Sequence, residues 1–456
     1  MTQKQFLILG GAFLAAAIFW FFLRDLAGQT SNIAWTAAIT LFTAILWVTE
    51  VIPIPATSLI PFALFPFAGV LSHKEVASAL GSHVILLLMG AFMLSKSLEK
   101  SGVHERLAVY MVNLVGANSG RRVVIGFMLA AAFLSMWISN TATTLMLIPI
   151  AMAVLQYVDD AAMGIALILG IAYAASLGGI GTPIGTPPNI IFISVYQETT
   201  GKEIDFVSWM KIAVPIVILV LPLMALWLTR NVSIKQAFHL PEIGRWRSEE
   251  KRVLIVFGLI ATAWVTRKIW SDWFGLSTVG DSTVALMGVV LMFLIPSGEK
   301  HEALLDWRSA RDIPWGMLLL FAGGIAIAKA FKASGLSEQL GAMLSDLSTL
   351  PLWALILSLC LFVTFLTEIT SNTATATLLM PVLAAAGIAA GVDPKLLMMP
   401  AAISASCAFM LPVATAPNAI AYGTGKLHIK DMVKEGAVLN VVVALFVSGV
   451  CYFMLE

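Results

Sequence analysis

Two short polar sequences occur in otherwise apolar stretches, once in each half of the chain. The tripeptide Ser-Asn-Thr lies at 139–141 and recurs at 371–373, 232 positions later. A Thr-x-Pro-Asn sequence follows at 186–189 and recurs at 415–418, 229 positions later. These residues offer hydroxyl, amide and backbone groups, which bind small molecules and ions as hydrogen-bond donors and oxygen ligands. Paired interruptions at corresponding places in two halves indicate the binding site of a transporter.

Each motif also has a purely structural interpretation. A single Ser-Asn-Thr in an apolar run usually caps a helix or makes a hydrogen bond between helices. A Thr-x-Pro-Asn sequence alone fits a helix kink as well as it fits a site. Two copies of both motifs, in the same order and at nearly the same offset, favour the functional interpretation.

The composition indicates a membrane protein. Of the 456 residues, 59% are hydrophobic and 12% are charged, and the mean hydropathy is +0.92, whereas a soluble domain carries about 25% charged residues. The net charge of +1 shows no electrostatic footprint for a nucleic acid. The sequence contains no HExxH motif, no nucleophile elbow and no paired acids within its apolar runs, so it does not predict an enzyme.

Runs of about 20 apolar residues predict the membrane spans. They lie at about 6–23, 33–51, 55–72, 84–98, 161–179, 207–229, 253–270, 282–296, 313–331, 396–412 and 431–455. The runs that end near 179 and 412 continue, beyond their Pro- and Gly-containing breaks, into short helices. Each Ser-Asn-Thr stretch, at 123–156 and at 351–390, fits either one long broken helix or a re-entrant hairpin. We favour the hairpin, because irregular backbone at membrane depth must be buried or face a cavity.

The predicted fold is therefore an all-α polytopic membrane protein with about 11 transmembrane helices and two re-entrant hairpins. An odd number of crossings places the termini on opposite sides and enters the hairpins from opposite sides, which is an inverted repeat. A cytoplasmic N-terminus places about two thirds of the Lys and Arg residues on the cytoplasmic side, so we expect the C-terminus outside. The polar segment 230–252 is the best candidate for the linker between the halves.

Both motif pairs, together with 406-SCAFMLPVATAPN-418, resemble the divalent anion/sodium symporter family, whose members carry di- and tricarboxylates and sulfate. The resemblance covers nearly the whole chain. It implies a homodimer in the cell (inner) membrane, in which a scaffold domain holds the dimer interface and a transport domain moves the substrate like an elevator. The expected divisions are scaffold helices at 1–120, the first transport half at 121–230, the linker and further scaffold helices at 231–345, and the second transport half at 346–456.

The hairpins and breaks lack Lys, Arg and His, so an anion bound there needs helix N-termini and neutral donors. The predicted substrate-binding residues are Asn140, Thr141, Thr186, Pro187, Asn372, Thr373 and Thr415. Sodium requires oxygen ligands, from hydroxyls, amide oxygens and unwound backbone carbonyls. The predicted sodium ligands are Ser135, Ser139, Asn140 and Gly185 at one site, and Thr367, Thr370, Ser371, Asn372 and Ala414 at its inverted partner.

The leading functional hypothesis is sodium-coupled transport of a C4-dicarboxylate such as succinate, malate or fumarate. Sodium-independent dicarboxylate exchange and transport of citrate or sulfate are alternatives that would use the same residues. An ion channel is the alternative from another class, although no ring of like charges is visible. Glu368, inside the second hairpin, is a functional candidate by default. It could contact a cation or proton directly, or it could act structurally or at the entrance.

Overall fold

The computed structural model describes residues 3–25, 31–156, 158, 160–234, 238, 244–298, 302–344 and 351–455. The regular elements within these ranges are α-helices. They are α1 (Gln3–Asp25), α2 (Ser31–Thr49), α3 (Ile54–Thr57), α4 (Ile60–Phe67), α5 (His73–Leu80), α6 (His83–Ser101), α7 (Val103–Val115), α8 (Gly120–Ser135), α9 (Asn140–Leu155), α10 (Ala161–Gly179), α11 (Pro187–Thr200), α12 (Phe206–Thr229), α13 (Ser248–Val265), α14 (Arg267–Trp273), α15 (Asp281–Leu294), α16 (Trp307–Ala310), α17 (Trp315–Ser334), α18 (Leu336–Leu344), α19 (Leu352–Leu366), α20 (Asn372–Ala389), α21 (Lys395–Ala405), α22 (Ala416–Gly423) and α23 (Ile429–Leu455).

Eight helices within the described residues are long and apolar enough to cross a membrane, and a bent pair would bring the number to nine. That pair is α13 and α14, which meet at an angle of 76° where the sequence predicts one continuous span. The predicted span at 55–72 is also divided, because α3 ends at Thr57 and α4 begins at Ile60. The chain is therefore a multi-pass helical protein, and the total of 11 crossings stays a prediction.

The two Ser-Asn-Thr motifs each separate a pair of helices, which fits both a long broken helix and a re-entrant hairpin, so the hairpins stay a prediction. Helix α8 ends at Ser135 and α9 begins at Asn140, while α19 ends at Leu366 and α20 begins at Asn372. Helices α8, α9 and α19, of 15 or 16 residues, are roughly 24 Å long, short of the hydrocarbon thickness of roughly 30 Å. Helix α20 has 18 residues and is one of the eight candidate spans. We call residues 135–141 the first turn and residues 367–373 the second turn.

The helices that carry the motifs pack against one another across the two halves. Helix α10 contacts α8, α9 and α22, α11 contacts α20 and α21, and α12 contacts α23. We call α8–α12 together with α19–α23 the repeat body. Helices α6 and α17 pack outside it, and α17 touches it at α11 and α20.

Among the described residues, contacts between polar side chains join the first half of the repeat body to the second half at two places. The Arg230 guanidinium binds the Glu435 carboxylate through two contacts, at 2.6 and 2.8 Å. Tyr196 Oη donates to Asp393, with Oδ1 at 3.0 Å and Oδ2 at 3.2 Å. A bidentate Arg–carboxylate pair fixes geometry as well as charge, so the halves are held in one arrangement.

The predicted linker is only partly described. Residues 235–237 and 239–243, including Lys235 and His239, lie outside the described residues. Arg121, at the start of α8, donates to the carbonyls of Val232 and Arg230. Arg247, immediately before α13, pairs with Glu250. The described parts of this segment thus fasten it to the ends of neighbouring helices.

Candidate functional site

The two turns and the two Thr-x-Pro-Asn breaks meet at one cavity of about 490 Å³. Its lining includes all seven residues predicted to bind substrate, namely Asn140, Thr141, Thr186, Pro187, Asn372, Thr373 and Thr415. Six of the nine predicted sodium ligands line it: Asn140 and Asn372, which belong to both sets, and Ser139, Gly185, Ser371 and Ala414. Residues from positions more than two hundred apart in the chain are therefore brought to a single space.

Four helices of the repeat body begin at this cavity. Their N-caps are Ser139 for α9, Thr186 for α11, Ser371 for α20 and Thr415 for α22, and all four N-caps line it. Each helix N-terminus presents unpaired backbone N–H groups and about half a positive charge. The repeat body thus surrounds the cavity with positive helix ends, an arrangement suited to a small anion.

The N-caps are not equivalent in the two halves. The Ser139 hydroxyl accepts a hydrogen bond from Ala142 N at 3.2 Å, and the Thr415 hydroxyl accepts one from Asn418 N at 3.1 Å. The side chains of Thr186 and Ser371 make no such cap. Each half therefore contributes one hydroxyl that caps its own helix and one that does not.

Oxygen atoms cluster behind the first turn. One terminal atom of the Asn140 amide lies 2.5 Å from Ser135 Oγ and 3.3 Å from the carbonyl oxygens of Ala175 and Gly185. With the amide nitrogen at this position, its two hydrogens face three acceptor oxygens. With the amide oxygen there, four oxygens face one another, which is a ligand set that a hard cation prefers. Either orientation joins the predicted ligands Ser135, Asn140 and Gly185.

A matching cluster lies behind the second turn. Thr367 Oγ1 lies 2.6 Å from Asn372 Oδ1 and 3.0 Å from the carbonyl oxygen of Ala405. Thr367 matches Ser135, Asn372 matches Asn140, and Ala405 lies 230 positions after Ala175. The Thr370 hydroxyl is engaged elsewhere, with Leu366 O at 2.8 Å and Thr375 Oγ1 at 2.6 Å. Any contribution of Thr370 to a cation would therefore come most simply from its backbone carbonyl.

Small residues let the first turn approach α10 and the first break closely. A Cβ atom at Gly179 would overlap the amide of Asn140, and one at Gly185 would lie 2.9 Å from the carbonyl oxygen of Ser135. Since real Cβ atoms essentially never approach that closely, these two glycines are required by space. Ala414 holds the position that matches Gly185, so the second break does not need the same close approach.

The asparagine of each break supports the backbone from inside. Asn189 Nδ2 donates to Gly179 O at 3.1 Å and Thr182 O at 2.8 Å. Asn418 Nδ2 donates to Ala408 O at 3.1 Å and Leu411 O at 3.0 Å. Both side chains are fully buried. The amides thus satisfy carbonyls that the interrupted helices leave without an N–H partner.

Glu368 has a structural role in the second break. Its buried carboxylate accepts hydrogen bonds from the backbone N–H groups of Phe409, Met410 and Leu411 at 2.7 to 2.9 Å, and from Asn440 Nδ2 at 2.8 Å. The first half lacks this arrangement, because Met136 holds the position of Glu368. There the break is held from the other side, by Trp209 Nε1 donating to Ile180 O at 2.7 Å.

Sequence reasoning missed the wall of the cavity that faces the repeat body. Helix α6 contributes Ser95, Lys96 and Glu99, and the α17 region contributes Asp312 and Phe321. The predicted span ends at about 98, whereas α6 continues to Ser101. Helical spacing of Phe92, Ser95, Lys96 and Glu99 was the available signal.

Comparisons with known proteins show what the chain is similar to. A family model described as citrate transporter matches residues 44–396. The sodium-dependent dicarboxylate transporter SdcS of Staphylococcus saprophyticus is 42% identical over 95% of this chain and 89% of its own length. SdcS of Staphylococcus aureus is 39% identical over 98% of this chain and 90% of its own length.

A solved structure shares the fold at low sequence identity. The YdaH transporter of Alcanivorax borkumensis superimposes with a TM-score of 0.54 over 82% of this chain and 86% of that chain, at 14% identity. This similarity concerns the fold alone. It agrees with a helical transporter architecture.

Proposed function

The chain belongs to the divalent anion/sodium symporter family, and we propose that it carries C4-dicarboxylates such as succinate, malate and fumarate across the cytoplasmic membrane together with sodium. The observation that carries the proposal is the convergence of four helix N-termini and neutral Asn and Thr side chains on one cavity. Neutral donors and helix dipoles bind a dianion without a fixed countercharge. Such a site can also release what it binds.

We assign the cavity-lining residues of the turns and breaks to the substrate. Asn140 and Asn372 face the cavity from the two halves, and Thr141, Thr373, Thr186, Pro187 and Thr415 complete the predicted set. The two oxygen clusters are assigned to sodium. Two cations beside a dianion would offset its charge, so sodium binding would help to form the anion site.

We further propose that the repeat body moves relative to α6 and α17 in an elevator motion, within a homodimer. The Arg230–Glu435 and Tyr196–Asp393 contacts support this, because they tie the two halves of the repeat body together. Across the boundary between α17 and the repeat body, Lys329 of α17 lies 3.6 Å from Glu198 of α11. The motion would separate this pair.

Transport is tested with purified protein in liposomes. An inward sodium gradient should drive accumulation of labelled succinate, and a potassium gradient of the same size should not. Uptake that does not depend on sodium but requires internal dicarboxylate would show exchange in place of the proposed symport. Excess unlabelled citrate or sulfate tests the other substrates, and current without saturation would favour a channel.

The motion is tested with a reversible cross-link. When Lys329→Cys and Glu198→Cys are joined by a bifunctional thiol reagent that contains a disulfide, uptake should stop, and a reducing agent should restore it. The native cysteines, Cys360, Cys407 and Cys451, are buried, so the background reaction should be small. Full uptake with the cross-link formed would show that α11 does not move past α17.

A further inference from the structure

One face of α6 forms a graded wall of the cavity. The residues that line it recur at helical spacing: Leu88, Ala91, Phe92, Ser95, Lys96 and Glu99. The first three are apolar, and the last three, toward the end of the helix, are polar or charged. The wall therefore becomes more polar toward the C-terminal end of α6.

The lining residues of the α17 region also change from charged to apolar, but here the charged residue comes first in the chain. Asp312, just before α17, lines the cavity at one end, and Met317 and Phe321 line it deeper along the helix. Charged groups thus stand where α6 ends and α17 begins, and apolar groups stand further in. Since charged side chains remain where water reaches them, this charged end is the mouth of the cavity.

Lys96 is the single basic side chain among the described residues that line this cavity. Its Nζ lies 2.6 Å from Glu99 Oε2, and the two side chains are 30% and 25% exposed. Lys96, Glu99 and Asp312 together carry a formal charge of −1 at the mouth. A dianion that enters here meets two carboxylates, and Lys96 is the group that can attract it.

We propose that Lys96 is a positioning residue for the transported anion on one side of the membrane only, and that Glu99 competes with the anion for it. The inference rests on the proposed function, in which the repeat body moves and α6 does not. When the repeat body faces the end of α6, a carboxylate of the substrate passes Lys96. When the repeat body faces the other side, Lys96 stays behind, so affinity on that side does not depend on it.

The test uses membrane vesicles of both orientations, with saturating sodium in the bath. In the vesicles whose bath faces the C-terminal end of α6, Lys96→Gln should raise the succinate concentration for half-maximal uptake about 5- to 10-fold, the scale of one partly exposed charged contact. In the other type the value should change less than about 2-fold. Glu99→Gln should lower it in the same vesicle type that Lys96→Gln affects, because the competing carboxylate is gone. Lys251→Gln, at an exposed lysine of α13 outside the cavity lining, is the matched control.

The outcomes separate this inference from the function it rests on. If the parent protein takes up no succinate in either vesicle type, the proposed function fails. If the parent transports and Lys96→Gln shifts both vesicle types equally, or neither, the side-specific role of Lys96 is wrong. Should Lys96→Gln reach the membrane poorly, the Glu99→Gln variant decides, and an unchanged or raised half-saturating concentration there contradicts the proposal.

Discussion

Thr367 Oγ1 lies 2.6 Å from Asn372 Oδ1, and the matching pair in the other half, Ser135 and Asn140, is separated by 2.5 Å. Each pair spans the base of a Ser-Asn-Thr turn, from the end of one helix to the start of the next. The hydroxyl, the amide and a nearby backbone carbonyl form the same small oxygen cluster twice. This repetition is the basis for the first prediction.

Removing one hydroxyl from either cluster should weaken sodium binding. We expect Ser135→Ala and Thr367→Val each to raise the sodium concentration for half-maximal uptake by about 3-fold or more, because one oxygen ligand is lost. Ser139→Ala and Ser371→Ala should act in the same direction. Thr49→Val serves as a control, since that exposed hydroxyl donates to Ile45 O away from the cavity. Unchanged sodium dependence in all four variants would contradict these ligands.

Placing a negative charge at either turn should weaken substrate binding. In Asn140→Asp and Asn372→Asp, a carboxylate replaces an amide donor beside the anion, so both should bind succinate less tightly than the corresponding Ala variants. Loss of one hydrogen bond to a charged group costs about 1.5–3 kcal/mol, or roughly 10- to 150-fold in affinity. Titration of purified, monodisperse protein measures the affinity.

The melting temperature of the same samples shows whether the variants are folded. Asn118→Asp, at an exposed asparagine next to α8, is the matched control. If both turn variants melt like the parent and bind succinate equally well, the Ser-Asn-Thr turns are not the anion site.

Glu368→Gln should lower stability more than it alters sodium dependence. The substitution turns one carboxylate oxygen into an N–H₂ group facing backbone N–H donors, and unsatisfied buried donors cost about 1–3 kcal/mol each. We expect a lower melting temperature and a nearly normal sodium requirement in the protein that remains folded. Glu105→Gln, at an exposed acid of α7, should change neither. A normal melting temperature with a much higher sodium requirement would instead assign Glu368 to a cation.

Asn189→Asp and Asn418→Asp should destabilise the breaks more than the Ala substitutions do. In each Asp variant, an oxygen faces the two carbonyls that the amide nitrogen now satisfies. Loss of two buried hydrogen bonds costs about 1–3 kcal/mol, and the repulsion between the carboxylate and the carbonyl oxygens adds to this cost. Thermal unfolding in detergent measures the order of stability. Equal melting temperatures for Asp and Ala would show that these contacts contribute little.

The predicted orientation can be tested by thiol labelling. A cysteine at Arg245 should react only with a membrane-permeant reagent in intact cells, and a cysteine added after Glu456 should react from outside. The expectation rests on the excess of basic residues on the proposed cytoplasmic side. The opposite labelling pattern would invert the topology.

The repeat motifs were sufficient to predict which residues share a cavity, but not how the cavity is closed. The Ser-Asn-Thr and Thr-x-Pro-Asn motifs can be recognised in the sequence, because polar and helix-breaking residues are rare in an apolar chain. The backbone carbonyls of Ala175 and Ala405 cannot be recognised from residue type, so the sequence does not predict that they belong to the oxygen clusters. The predicted span ends near 98 and leaves Glu99 outside it, because a charge at the end of an apolar run resembles the end of a span. Hydropathy also does not show that Lys96 faces a cavity. The bend between α13 and α14 and the division between α3 and α4 depend on packing that hydropathy does not report.

Glu368 limits how far the two halves of the chain are interchangeable. If the first turn alone replaced the second turn, a methionine would stand where Glu368 stands now. The N–H groups at 409–411 would then have lost the acceptor that holds them. If the chain arose by duplication of an ancestral half, this carboxylate marks a point at which the two copies diverged, so that the turn of one half no longer fits the break of the other.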